Sequence, residues 1–115
     1  MDCVFCKIVE KEKPAEIAYE DDALMIFKDS NPKAPVHLLV VPKIHIISVR
    51  DMTGDNINLM GQMIFAARNA AEDYKLEGYK LIFNVGKDGG QIVDHVHLHI
   101  LGGWVKTPKV NNINV

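Results

Sequence analysis

Asp94-His95-Val96-His97-Leu98-His99-Ile100-Leu101 places a histidine at every second position with an apolar residue between. That alternation is the period of a strand with one polar and one apolar face, and it predicts three imidazoles pointing one way, about 7 Å apart. A helix would scatter them. Imidazole titrates near neutral pH, so such a row can supply nucleophile, proton donor and ligand together. A plain half-exposed strand is one alternative. A metal tripod is another, although three ligands from one straight strand converge poorly on a tetrahedral centre.

Working back from that stretch, Gly86 to Gln91 reads as a loop whose Gly89-Gly90 pair lets backbone N–H groups approach an anion. Tyr79 to Val85 reads as a strand before it. From Thr53 to Leu76 the period changes, with Ile57, Met60, Ile64, Ala67, Ala71 and Tyr74 at steps of three or four. This predicts one long helix, capped by Thr53 or Asp51 and ended by a left-handed Gly78. Residues 17–19 and 23–28 read as strands around a Glu20-Asp21-Asp22 turn, and residues 36–41 as a strand stopped by Pro42. Residues 4–10 read as a helical turn or two. The expected fold is therefore α+β: a five-stranded, mainly antiparallel sheet with one long helix and a short N-terminal helix, in a single domain over residues 1–115.

The chain is 48% hydrophobic and 24% charged, ordinary for a globular domain. A net charge of −2 excludes a general basic field for nucleic acid. No apolar run reaches membrane-span length and the start lacks a secretory pattern, so a cytoplasmic protein with no membrane partner is expected. The two cysteines, Cys3 and Cys6, have the spacing of a redox pair or of half a metal site. No strand precedes them as a thioredoxin-like role needs, which favours zinc over redox chemistry; two small buried thiols are the simpler alternative.

His95-Val96-His97-Leu98-His99-Ile100-Leu101 resembles the signature of the histidine-triad (HIT) superfamily of nucleotide hydrolases and transferases. The resemblance extends through Asn84, Gly89-Gly90-Gln91, residues 35–45 and Phe5-Cys6-Lys7-Ile8, and is greatest to the Hint branch of nucleoside phosphoramidases. It implies hydrolysis of purine nucleoside 5′-phosphoramidates through a covalent intermediate on His97, with His95, His99 and His37 in support. It implies that Asp29 holds the ribose, that Ile26 or Phe27 flanks the base, and that Asn84, Gly90 and Gln91 lie near the phosphate with His97 and His99. It further implies a structural zinc on Cys3, Cys6, His45 and His95, and a homodimer through the long helix. A dinucleoside polyphosphate hydrolase, or a zinc-stabilised nucleotide-binding module with weak turnover, is the alternative. The chain departs from the branch at Ile92, where serine is common, at Trp104, where arginine is common, and in a tail from Lys106 to Val115 without the usual Trp-Pro-Pro-Gly ending.

Overall fold

The computed structural model describes residues 2–105; the tail from Lys106 lies outside the described residues. A short helix, α1 (Val4–Val9), precedes the strands β1 (Ile17–Glu20), β2 (Leu24–Lys28) and β3 (Val36–Pro42). The long helix α2 (Ile57–Asp73) follows, then β4 (Tyr79–Ile82) and β5 (Leu98–Gly102). The five strands form one antiparallel sheet in the order β1-β2-β3-β5-β4, with β5 inserted between β3 and β4.

Strand alternation sorts the sheet into two cores. Leu24, Ile26, Leu38, Val40, Leu98 and Ile100 face α2, where Met63, Ala67 and Ala70 let the helix lie close. Met25, Phe27, Leu39 and Val41 face the other way and pack on Phe5 and Ile8 of α1. α1 covers only part of its face, and the uncovered remainder becomes the cleft described below. The β1–β2 turn is closed by Asp21, whose Oδ1 accepts from Ala23 and Leu24 N–H, both at 2.8 Å.

Three expectations need correcting. The histidine-bearing segment is not one strand: β5 begins only at Leu98, because His95 N–H turns back to Val93 O and Val96 N–H bonds instead to Ile46 O. β4 likewise stops at Ile82, opposite His99, and the segment that Val85 would meet, beyond Leu98, has left the sheet. The long helix starts later and ends earlier than its pattern. Thr53 does cap, but it opens a tight turn over Gly54–Asn56, with Asp55 N–H on Thr53 Oγ1 and Thr53 N–H on Asn56 Oδ1. At the other end Lys75, not Gly78, takes the left-handed conformation (φ 57°). Leu76 N–H returns to Ala71 O and Lys75 N–H to Glu72 O, which places the Leu76 side chain on the core. That apolar contact fixes where the helix ends, at the expense of a strained lysine.

Candidate active site and metal cluster

A cleft of about 920 Å³ opens on the sheet face that α1 leaves uncovered, with His37, His97 and His99 on its floor. His97 is buried, and Phe5 packs edge-on against its ring with centroids 5.0 Å apart. Its Nδ1 lies 2.6 Å from the carbonyl of His95. A carbonyl only accepts, so Nδ1 carries the proton and Nε2 keeps its lone pair. Burial lowers the His97 pKa from its ordinary value, which keeps the ring neutral at pH 7.

His37 and His99 form a chain of determined protons. Lys33 N–H donates to His37 Nδ1 at 3.0 Å, so the His37 proton sits on Nε2. That Nε2–H donates to His99 Nδ1 at 2.9 Å, with Asp29 Oδ2 3.4 Å away as a second acceptor. Neutral His99 therefore carries its proton on Nε2. Burial, followed by the nearby His97 and His37, pushes the His99 pKa down to about 4, and burial lowers that of His37.

His95 points elsewhere. It is fully buried, and its Nε2–H donates to Pro42 O at 2.8 Å, leaving the Nδ1 lone pair outward from the carbonyl. On that nitrogen converge His45 Nδ1 at 3.1 Å, Cys3 Sγ at 3.3 Å and Cys6 Sγ at 3.5 Å, while Cys6 Sγ is 3.3 Å from His45 Nδ1. Zinc bound at about 2.3 Å from sulfur and about 2.0 Å from nitrogen has tetrahedral edges of roughly 3.3–3.8 Å, so these four separations are already close to the needed ones, and all four atoms lie within 4.8 Å of one another. The N–H held by a carbonyl is the usual outer support of a metal-binding histidine. Burial, then the neighbouring Cys3, pushes the Cys6 thiol up to about 11, so without a cation that thiol stays protonated.

The remaining candidates divide by strand face. Phe27 and Asp29 line the cleft, and Asp29 serves two ends: Oδ1 accepts from Asn31 N–H in a turn while Oδ2 faces His37. Ile26 is buried beneath α2 on the opposite face, since period 2 allows only one of the two neighbours into the cleft. Asn84 and Gly90 line the cleft together, Asn84 Nδ2 donating to Gly89 O, and Gly90 has a φ of 83° that favours glycine. Gln91 is turned inward: its Oε1 accepts from Gly86 N–H and its Nε2 donates to the carbonyls of Ile47 and Val93. It shapes the loop rather than lining the cleft. Phe5 and Lys33 join the site without a motif to mark them; an amphipathic first helix is the signal for Phe5, and a backbone donor such as Lys33 N–H leaves none.

This fold and site define a histidine-triad hydrolase, and the chain belongs to that family. A family profile described as scavenger mRNA decapping enzyme C-term binding matches residues 2–113. The chain is 41% identical over 102 residues to the purine nucleoside phosphoramidase of Escherichia coli (strain K12), covering 87% of this chain and 86% of that one. It superposes on a HIT family hydrolase from Legionella pneumophila Philadelphia 1 with a TM-score of 0.88 at 42% identity, covering 93% and 97% of the two chains. A zinc-bound histidine triad family protein from Mycobacterium smegmatis matches with a TM-score of 0.78 at 30% identity, over 95% of this chain and 85% of that one. Within the family the chain is most like the Hint branch, in its variety with a zinc-binding Cys-x-x-Cys.

Proposed function

We propose that the chain hydrolyses purine nucleoside 5′-phosphoramidates in two steps through His97. The observation that carries this reading is the His97 Nδ1–His95 O hydrogen bond, which leaves Nε2 unprotonated at the cleft floor. Nε2 attacks the α-phosphorus, the bond to the leaving nitrogen breaks as that nitrogen takes a proton from solvent and departs as the amine, and a nucleotidyl-histidine forms. Water then attacks phosphorus, the bond to His97 breaks, and the nucleoside monophosphate departs. The His99 Nε2–H and the backbone beside Gly90 stabilise the phosphoryl oxygens, while Asp29 holds the ribose hydroxyls and Phe27 flanks the base. The similarity to the Escherichia coli phosphoramidase supports the substrate class.

A single-turnover trap tests the mechanism. Protein mixed with adenosine phosphoramidate labelled at phosphorus should retain label that acid releases and base does not. Failure to label, together with faster turnover of diadenosine polyphosphates than of phosphoramidates, would move the chain to the dinucleoside polyphosphate reading. Labelling that outlasts many hours would favour a binding module instead.

Cys3, Cys6, His45 and His95 are the inferred holders of one zinc ion, which supplies a cross-link between α1 and the sheet. Four protein ligands close the shell, as in structural rather than catalytic sites. Cysteines used as ligands suit a reducing compartment, in keeping with a cytoplasmic location. Among the described residues no helix is long and apolar enough to cross a membrane. α2 leaves Ile57, Ile64 and Phe65 exposed by 66%, 48% and 61%, an apolar stripe that supports a homodimer formed through this helix. Sedimentation of the purified protein at the mass of one chain would end the dimer reading.

A further inference from the structure

The two ends of the cleft are chemically unlike. Every charged residue on its lining (Lys13, Glu16, Lys28, Asp29 and Lys33) belongs to the end nearer α1 and β2. The β4 end carries no charge: its apolar wall is Ile82, Leu101 and Ile92, and its polar side chain, Asn84, has its Nδ2 engaged with Gly89 O. Ile82 is the cross-strand partner of His99, and Leu101 lies two residues further along β5, so both flank His99 on its own face. Ile92 is 91% exposed, the highest value among the large hydrophobic side chains of the described residues. Its backbone is nonetheless held, because the side chain of Gln91 beside it bonds to Gly86, Ile47 and Val93. A β-branched apolar side chain fixed in water at the lip of a cleft contributes nothing to the core. It does offer apolar area to whatever occupies the cleft.

We propose that the β4 end is the subsite for the leaving group and that it selects amines with an apolar substituent, Ile92 being the specificity-determining residue. The inference rests on the phosphoramidase reading. With the ribose at Asp29 and the base at Phe27, the nucleoside fills the charged end, and the remaining substituent on phosphorus extends past His99 toward β4. An alkyl or aryl amine there shields Ile82, Leu101 and Ile92 from water, whereas a hydroxylated amine loses hydration against these three hydrocarbon side chains.

The test uses the full-length zinc-loaded protein and three adenosine 5′-phosphoramidates: the unsubstituted one, the ethanolamine derivative and the phenethylamine derivative, the latter two having amines of similar basicity. The expected kcat/KM for phenethylamine exceeds that for ethanolamine about tenfold, the range that small apolar pockets reach. Ile92→Ser should bring the ratio to about twofold, and because the side chain is exposed the variant folds normally. Equal kcat/KM for the two amines in the wild type, or an unchanged ratio in Ile92→Ser, overturns the subsite while turnover of the unsubstituted compound upholds the phosphoramidase reading. No turnover of any of the three overturns both.

Discussion

Two clusters in this molecule look alike as lists of ligands. Cys3, Cys6, His45 and His95 form one; Asp29, His37 and His99 form the other, and in each the potential ligand atoms lie within 4.8 Å of one another. They differ in where the protons are. His95 gives its N–H to Pro42 O and turns a lone pair toward the thiols, whereas His37 spends its lone pair on Lys33 N–H and turns a proton toward His99. A cation at His37 Nε2 would have to displace that proton while Nδ1 remained an acceptor, which a neutral imidazole cannot do. The difference between a metal site and a proton-holding site here is set by one backbone carbonyl and one backbone amide, outside both ligand sets.

The sharpest break concerns His97, which lies between the clusters. His97→Ala should lower turnover about a thousandfold or more while nucleotide binding stays measurable, because the nucleophile is lost and the ribose and base contacts remain. Equilibrium binding of a nucleoside monophosphate, measured beside steady-state rates, checks both halves. A variant with near wild-type rates would remove His97 from the mechanism.

Next in size is the zinc. Metal analysis of protein purified without chelator should give one zinc per chain, and neither His37→Ala nor His99→Ala should change it. Chelation, or Cys3→Ser with Cys6→Ser, should cost on the order of 3 kcal/mol and lower Tm by about 10 °C or more. Calorimetry reads the loss. A second tightly held zinc that disappears in His99→Ala would show that the proton argument for the catalytic cluster is mistaken.

The smallest effect is the response to acid. The folded pKa of His99 is depressed to about 4 and that of His37 is also lowered, so between about pH 6.5 and pH 4 the unfolded chain binds protons that the folded chain refuses. Stability from these groups is complete above pH 6.5 and declines as pH falls, by up to about 1.4 kcal/mol per unit for each histidine still neutral in the fold. Denaturant titrations at pH 7 and pH 5 measure it, and the decline should be shallower in His99→Ala. Equal slopes would place the acid sensitivity in other groups.

How far the sequence could foretell this follows from the same distinction. Leu98 to Leu101 alternates and is a strand; His95 to His97 alternates and is not, because Val96 N–H finds Ile46 rather than a neighbouring strand, a contact no local pattern encodes. The expectation that all three imidazoles share a direction failed there. Alternation said that only one of Ile26 and Phe27 could reach the cleft, but choosing between them required knowing which face α2 covers. Residue type suggested that Gln91 belonged near a phosphate, yet three of the four hydrogen-bonding positions of its amide are taken by backbone, at Gly86, Ile47 and Val93. The four proposed metal ligands and the proposed nucleophile were legible through family resemblance, not through spacing alone. The α2 terminus went to Lys75 because burial of Leu76 outweighed the conformational ease of Gly78.

The contact between Cys3 and His95 spans 92 positions of chain. During synthesis, therefore, α1 emerges before every strand of the sheet, and 92 further positions must follow before Cys3 meets its partner imidazole. Until then Phe5 and Ile8 lack the sheet face they cover, and β3 lacks β5, its neighbour at the centre of the sheet. A ribosome-bound intermediate is thus predicted to be without a formed catalytic floor, and such non-local closure slows folding relative to a helical protein of equal length. Catalytic competence and completion of the sheet should arrive together, once β5 has been made and has paired with β3 and β4.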